Sequence, residues 1–175
     1  MNCAIREMRK EEYSLLSDFL YEAIYIPAGT AAPPKSVISC TELQVYIANF
    51  GNSKHDKALV AEVDGNIVGA IWARIMKDYG HIDENTPSLA MSVLKAYRGM
   101  GIGTLLLTQM LLAEKAAGYA KISLSVQKDN YAGKGPTCSF STAFCRGRRG
   151  KAMPLREAGF IKSARRFFLK AFGVC

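Results

Sequence analysis

The chain has 175 residues, of which 49% are hydrophobic and 22% are charged, and its formal net charge at pH 7 is +8. This length suits a single domain with its own core. No apolar run reaches the ~18 residues of a membrane-spanning helix, and the charged N-terminus lacks the apolar stretch of a signal peptide. We therefore expect a cytoplasmic protein with no membrane partner.

The positive charge is confined to the end of the chain. Residues 134–175 hold 10 Lys and Arg and one acidic residue, Glu157, whereas the preceding residues are nearly balanced. The five cysteines are irregularly spaced and form no CxxC pair, so neither a disulfide framework nor a zinc site is predicted. Two histidines, His55 and His81, are too few for a histidine-rich metal site, and we expect no metal.

The first part of the chain predicts a strand followed by two helices. NCAIREM alternates weakly between apolar and polar residues, as a strand does. KEEYSLLSDFLYEAIY has apolar residues at i, i+4 and i+8, which predicts an amphipathic helix. CTELQVYIANFG predicts a second helix, with Thr41 as its N-cap and Gly51 as its stop.

The next part predicts a hairpin and then a crossover. KALVAEVDGNIVGAIWARIM predicts the hairpin, because two β-branched runs flank the turn signal DGN. SLAMSVL predicts a short strand. GTLLLTQMLLAEKAAGY predicts a helix that is apolar nearly all round, and therefore largely buried, and that ends at Gly118. AKISLSVQ predicts a further strand.

The predicted element order is therefore β-α-α-β-β-β-α-β. A strand, a glycine-rich turn, a helix and a strand form a crossover between parallel strands, whereas the earlier strands pair as antiparallel neighbours. The fold class that follows is α/β, with a mixed, mostly antiparallel central sheet flanked by helices.

The glycine-rich stretch YRGMGIGTLL, residues 97–106, indicates an anion site. Glycines between a strand and a helix leave main-chain N–H groups pointing outward, at the helix end that carries partial positive charge. Neither the GxGxxG pattern nor the Walker A pattern fits, but R-x-x-G-x-G does, as Arg98, Gly101 and Gly103. A tight turn without a ligand is the alternative.

This stretch resembles the acyl-CoA-binding motif of the GNAT superfamily of N-acyltransferases. The resemblance extends to the element order and to the hairpin turn DGNIVG, and it covers residues 1–132. It implies acetyl-CoA as the cofactor, with the CoA pyrophosphate on loop amides and the pantetheine arm on main-chain groups of the preceding strand. The cofactor-binding residues implied are Met91, Ser92, Val93, Arg98, Gly99, Met100, Gly101, Ile102, Gly103, Thr104 and Asn130.

Acyl transfer to an amine needs a base for the amine proton and a donor for the thioester oxygen. The main-chain N–H near Val93 is the predicted donor. The predicted bases lie in the loop HIDEN and are Asp83 and Glu84, with His81 and then Glu62 as further candidates. Acidic loop residues that are merely solvated are the alternative.

The acceptor amine is predicted to contact three side chains, although packing is an equally good interpretation of the two on the first helix. These residues are Tyr21, Tyr25 and His81.

The resemblance breaks after residue 132. The family usually has a tyrosine that protonates the leaving thiolate, but Pro136 or Thr137 stands at that position, and Tyr131 is wrongly spaced. Residues 133–150 are either an insertion, or the chain from residue 133 onward is out of register, as a frameshift would make it. In either case ARRFFLKAF can supply a last strand, and residues 1–175 are predicted to form one domain.

The resulting prediction is an N-acetyltransferase that moves an acetyl group from acetyl-CoA to a primary amine of a small molecule or peptide by direct attack. Two alternatives stay open: a CoA-binding protein without activity, and a module that binds nucleic acid through its basic tail. A charge run is usually a solvated face, so nucleic acid is not the expected partner. A homodimer paired through the sheets is a further expectation.

Overall fold

Six strands form one sheet, in the order in which they occur along the chain. The computed structural model describes residues 2–24, 26, 29–78, 81–127 and 140–144. The strands are β1 Cys3–Glu7, β2 Lys57–Val63, β3 Asn66–Arg74, β4 Ser88–Val93, β5 Ser123–Gln127 and β6 Phe140–Phe144.

Every neighbouring pair in the sheet is antiparallel except β4 and β5, which are parallel. The predicted mixed, mostly antiparallel sheet flanked by helices is therefore confirmed. Strand β6 was not predicted and lies inside the stretch 133–150. The last strand predicted at residues 164–172 lies outside the described residues.

The predicted hairpin joins β2 to β3 through a two-residue turn. Asp64 and Gly65 have φ angles of +49° and +79°, between the paired residues Val63 and Asn66. Two successive positive φ values are typical of a type I′ turn, whose twist matches that of the flanking strands. The Asp-Gly signal therefore fixes the register of β2 and β3 next to the turn.

In the described part of the chain three α-helices accompany the sheet: α1 Leu16–Ala23, α2 Thr41–Gln44 and α3 Ile102–Ala116. A 3-10 helix, Lys10–Leu15, leads into α1, and a second one, Lys35–Ser39, precedes α2. Helix α1 buries Leu16, Phe19 and Leu20, as its apolar spacing predicted.

Helix α2 is much shorter than predicted, and its N-cap is Cys40 rather than Thr41. The carbonyl groups that follow it accept hydrogen bonds from β3 side chains. Trp72 Nε1 donates to the carbonyl of Tyr46 at 3.1 Å, and Arg74 Nη1 donates to that of Ala48 at 2.9 Å. These two carbonyls therefore accept side-chain hydrogen bonds from β3 in place of the i+4 main-chain bonds that would extend the helix.

Each face of the sheet has its own core. The α3 face, covered by α3, buries Leu59, Ala61, Val63, Val68, Ile71, Ala73, Leu89, Met91, Ile102, Leu106, Leu107, Met110, Leu111 and Ile122. The α1 face, covered by α1 and the segment around α2, buries Met8, Leu16, Phe19, Leu20, Ile38, Phe50, Ala58, Val60, Ala70, Trp72 and Ala90.

Helix α3 is buried on one side only, contrary to the prediction that it is largely buried all round. Leu106 and Met110 are fully buried, whereas Leu105 is 46% exposed and Leu112 is 49% exposed. None of the described helices has the length and apolar character needed to cross a membrane.

Candidate active site

Strands β4 and β5 pair only at their beginnings and then part. Ser88 pairs with Ser123 and Leu89 pairs with Leu124, and the described residues form no further pairs between these strands. Both strands nevertheless continue, β4 to Val93 and β5 to Gln127. Main-chain groups of β4 beyond Leu89 that point toward β5 therefore lack a strand partner there.

The register identifies which groups these are. The N–H of Leu94 donates to Val68 of β3 at 2.9 Å, and Pro87 accepts on the β5 side from Ser123 N at 2.9 Å. Main-chain groups alternate in direction along a strand. The alternation turns the main chain of Met91 and Val93 toward the β5 side, and these are the two residues whose main chain was predicted to hold the pantetheine arm.

The glycine loop that follows β4 opens the N-terminus of α3. Gly99 has a φ of +80° and Gly101 a φ of +81°, a region that favours glycine, and a Cβ at either would meet nothing within 4 Å. Gly101 is the N-cap, and among the described residues no side chain caps the helix.

The first main-chain amides of α3 are consequently available to an anion. The N–H groups of Ile102, Gly103 and Thr104 precede the first helical bond, which runs from Leu105 N to Gly101 O at 3.1 Å. Such groups carry the partial positive charge of the helix and bind phosphate well. The loop thus has the chemistry that the sequence predicted for a pyrophosphate.

Arg98 ties this loop to its neighbours. Its Nε donates to the carbonyl of Val93 at 2.8 Å, and its Nη2 lies 3.3 Å from Glu22 Oε2 and 3.4 Å from Glu22 O. The guanidinium therefore fixes the end of β4 against α1. Its contact with a pyrophosphate stays a prediction.

Two other predicted cofactor residues have different surroundings. Ser92 is buried, and its hydroxyl donates to the carbonyl of Phe19 at 2.6 Å, on the α1 face. Met100 is 53% exposed beside the loop. Asn130 and Tyr25 lie outside the described residues.

The predicted bases precede β4, at the end where it pairs with β5. Asp83 Oδ1 accepts from Thr86 Oγ1 at 2.8 Å and from Asn85 N at 2.9 Å. The Thr86 hydroxyl, and then the Asn85 amide, lower the pKa of Asp83, which makes its carboxylate a weaker base. Five strand intervals, about 17 Å, separate the start of β4 from its end at the glycine loop.

Glu84 and His81 form a solvent-facing pair. The Glu84 side chain is 71% exposed, with Oε1 3.7 Å from His81 Nε2. His81 Nδ1 lies 3.0 Å from the carbonyl of Met76 and donates to it, because a carbonyl can only accept. Their catalytic and acceptor-binding roles stay predictions.

Tyr21 has a structural partner. Its hydroxyl donates to the carbonyl of Pro33 at 2.5 Å, and its ring packs against the α1-face core. This bond joins α1 to the loop before the second 3-10 helix and favours the packing interpretation. Glu62, the weakest base candidate, accepts from Arg6 Nε at 2.8 Å.

Sequence reasoning missed one carboxylate, Asp78. Its Oδ1 accepts from Ser88 Oγ at 3.0 Å, its Oδ2 accepts from Tyr46 at 3.1 Å, and Ser88 Oγ lies 2.8 Å from Ser123 Oγ. Both serines are fully buried. The available signal was Ser88, which directly precedes the apolar run LAM, since a buried hydroxyl needs a hydrogen-bond partner.

The model of the acetyltransferase (GNAT) family matches residues 21–134, which include the glycine loop and both parting strands. The chain belongs to the GNAT acetyltransferase family. No curated protein matches it.

Several solved structures share the fold of this acetyltransferase. A GNAT family acetyltransferase from Brucella melitensis in complex with acetyl-CoA is 21% identical, with a TM-score of 0.52 over 91% of this chain and 98% of that one. PaiA N-acetyltransferase from Thermoplasma acidophilum in complex with coenzyme A is 20% identical, with a TM-score of 0.52 over 74% and 82%. An N-acetyltransferase from Staphylococcus aureus Mu50 is also 20% identical, with a TM-score of 0.52 over 75% and 78%.

Proposed function

We propose that this acetyltransferase moves the acetyl group of acetyl-CoA to the primary amine of a small molecule or peptide, by direct attack of the amine on the thioester. The observation that carries the proposal is the gap between β4 and β5 next to the open N-terminus of α3. The gap offers the main chain of Met91 and the N–H of Val93, whose carbonyl already accepts from Arg98, and the helix offers uncapped amides.

Acetyl-CoA fits these residues in charge and in shape. The amides of residues 99–104 would hold the pyrophosphate, because a helix N-terminus favours an anion and the two positive-φ glycines leave open space there. An extended arm with amide groups matches an unpaired strand edge. Acetyl-CoA supplies the activated acetyl group.

The chain's own groups would then orient the thioester. The main-chain N–H groups of Met91 and Val93, which face the gap, are the proposed donors to the carbonyl oxygen, which gains negative charge as the amine attacks. A thiol with a pKa of ~8.5 is a tolerable leaving group near neutral pH, so a missing tyrosine costs rate rather than binding. A cytoplasmic location, a homodimer and the choice of amine stay predictions.

Thermal unfolding with and without acetyl-CoA tests the binding step, with NAD and ATP as controls. A ligand at about 100 times its dissociation constant stabilises the folded state by ~2.7 kcal/mol. We expect a higher Tm with acetyl-CoA only. Equal shifts with ATP, or no shift, would contradict a dedicated acyl-CoA site.

Release of CoA thiol tests the chemistry, with glycinamide as a model peptide amine and putrescine as a small-molecule amine. Turnover with either supports the proposal. Binding without thiol release from any primary amine would favour the inactive CoA-binding alternative. Salt-sensitive RNA binding without acetyl-CoA binding would favour the basic-tail alternative.

A further inference from the structure

A chain of hydrogen bonds joins a carboxylate to both strands where they begin to part. We call Asp78, Ser88 and Ser123 the Asp78 chain. An ionised carboxylate can only accept, so Ser88 donates its single hydroxyl proton to Asp78. The contact between Ser88 and Ser123 therefore takes its proton from Ser123. In this state every proton of the chain points toward Asp78.

The Asp78 chain lies on the α1 face of the sheet. Alternate residues of a strand share a face, and Ser88 alternates with Ala90, which belongs to the α1-face core, and with Ser92, which donates to Phe19 of α1. The opposite face carries Leu89 and Met91, which pack in the apolar core under α3. Of the two faces of β4, the α1 face is therefore the one that carries hydroxyl groups and a carboxylate next to the gap.

The carboxylate is close to the gap and accessible from solvent. Ser88 precedes Ala90 by two residues, about 7 Å along the strand, and the pairing of β4 with β5 ends at Leu89. Ser88 and Ser123 are 1% and 0% exposed, whereas Asp78 is partly exposed. Among the described bonds, Asp78 is the carboxylate that hydrogen-bonds directly to a β4 side chain.

We propose that Asp78 accepts the proton of the attacking amine, with Tyr46 and Ser88 holding its carboxylate toward the gap. This inference rests on the proposed acetyl transfer. The amine nitrogen bonds to the carbonyl carbon, and the C–S bond breaks with its electron pair on sulfur. The N–H proton passes to Asp78, which becomes a neutral acid, while CoA leaves as the thiolate.

The Asp78 chain keeps every proton paired after the transfer. Protonated Asp78 can donate to Ser88, which can then donate to Ser123. Ser123 can turn to the carbonyl of Pro87, 3.4 Å from its Oγ. Both protonation states of the carboxylate are therefore satisfied, which a base needs if it gains and loses a proton in each turnover.

Three other titratable residues, Tyr46, His81 and Lys77, lie next to Asp78. The Tyr46 hydroxyl donates to it, and the main-chain N of His81 donates to its carbonyl at 3.1 Å. The His81 imidazole is instead directed toward Met76 and Glu84. Lys77 precedes it in the chain and is exposed. Tyr46, His81 and Lys77 can also contribute to the pH dependence of turnover. The pH profiles of the wild type and the Asp78 variant are therefore compared with these three residues unchanged.

The test compares Asp78→Asn with Asp64→Asn, whose side chain lies in the hairpin turn, and with Asp83→Asn, the rival base. Thiol release from acetyl-CoA is measured with glycinamide, with putrescine and with water alone. We expect Asp78→Asn to lower kcat at least 100-fold, since a general base contributes about 10²–10⁴-fold. The KM for acetyl-CoA and the acetyl-CoA-induced Tm shift should not change, and Asp64→Asn should behave as the wild type.

A second variant separates a proton acceptor from a structural group. In Asp78→Ala, added formate should restore part of the rate, because it supplies a carboxylate in the vacated space; Ala is also the variant to use if Asn disturbs folding. A loss in Asp83→Asn with a normal rate in Asp78→Asn, or no formate rescue, would overturn the assignment. If the wild type itself releases no more thiol with either amine than with water alone, the proposed function fails rather than the choice of base.

Discussion

The two ends of α3 both carry polar groups without a hydrogen-bond partner, but one end faces outward and the other faces the core. At the N-terminus the first amides of the helix lie behind glycines with open space around them. Near the C-terminus, Glu114 is 1% exposed, and neither carboxylate oxygen has a partner among the described residues. Solvent can reach the outward amides, whereas Glu114 is shielded from bulk solvent, which makes its ionised form costly.

Because the N-terminal amides are exposed and Glu114 is buried, the first end of α3 suits ligand binding and the second end is sensitive to pH. Burial raises the pKa of Glu114 from 4.5 to about 7, and the positive charge of Lys57 opposes the rise. An unpartnered group that a ligand can reach costs little stability and provides affinity. An unpartnered group in the core instead stays neutral until the pH forces it to ionise.

The largest expected effect comes from Glu114→Gln, which removes ionisation from the buried end. The folded state holds the Glu114 proton more tightly than the unfolded state, so the free energy of unfolding falls as pH rises from 4.5 to 7. The penalty is complete above pH 7 and amounts to ~3 kcal/mol, since a tenfold change in proton affinity is worth ~1.4 kcal/mol. In urea unfolding, the free energy of unfolding of Glu114→Gln should therefore rise relative to that of the wild type between pH 5 and pH 8.

All other titratable groups are common to the wild type and the variant, so their contributions cancel in the difference. A difference between the two proteins that is the same at pH 5 and pH 8 would show that Glu114 does not ionise in this range.

The second prediction compares the two ends with one type of substitution. Gly101 and Gly118 have φ angles of +81° and +93°, and a Cβ at either meets nothing within 4 Å. Alanine in this conformation costs about 1 kcal/mol or more at both positions. Only Gly101→Ala should also weaken acetyl-CoA binding, by about tenfold, because its methyl group lies beside the amides of the loop. Equal affinities of the two variants in calorimetry would argue against a pyrophosphate there.

The smallest effect is expected on the outer side of α3, between its two ends. Leu112→Gln places a polar side chain where the leucine is 49% exposed. Surface changes of this kind usually alter stability by less than ~0.5 kcal/mol. Unfolding and acetyl-CoA binding should both match the wild type. A loss of several kcal/mol would mean that something covers this side of the helix.

Local signals predicted the parts of the molecule that depend on local chemistry. Asp64 and Gly65 specify their turn by backbone preference, and the glycines before α3 mark its open end. Helix α2 could not be predicted in this way, because Trp72 and Arg74 of β3 bind the carbonyls that follow Gln44.

The side chains that matter most for acid-base chemistry also depend on tertiary contacts. Asp78 meets Ser88 and Tyr46, which are 10 and 32 residues away, and no sequence spacing relates the three. Glu114 has an ordinary position in a helix, and only the docking of α3 on the sheet buries it while leaving Leu112 outside. Periodicity alone cannot identify which side of an almost wholly apolar helix faces the core.

The short pairing between β4 and β5 also divides the sheet mechanically. Strands β1–β4 form one part of the sheet and β5–β6 form the other. Two residue pairs, Ser88–Ser123 and Leu89–Leu124, join the two parts. We expect a strand pairing of only two residue pairs to open locally at a lower free energy than the longer pairings of the sheet. A ligand in the gap would form main-chain hydrogen bonds with β4 where β5 does not. Acetyl-CoA should therefore slow hydrogen exchange at the main-chain amides of Met91 and Val93. Substrate binding and cooperative folding of this sheet would then depend on the same few main-chain bonds.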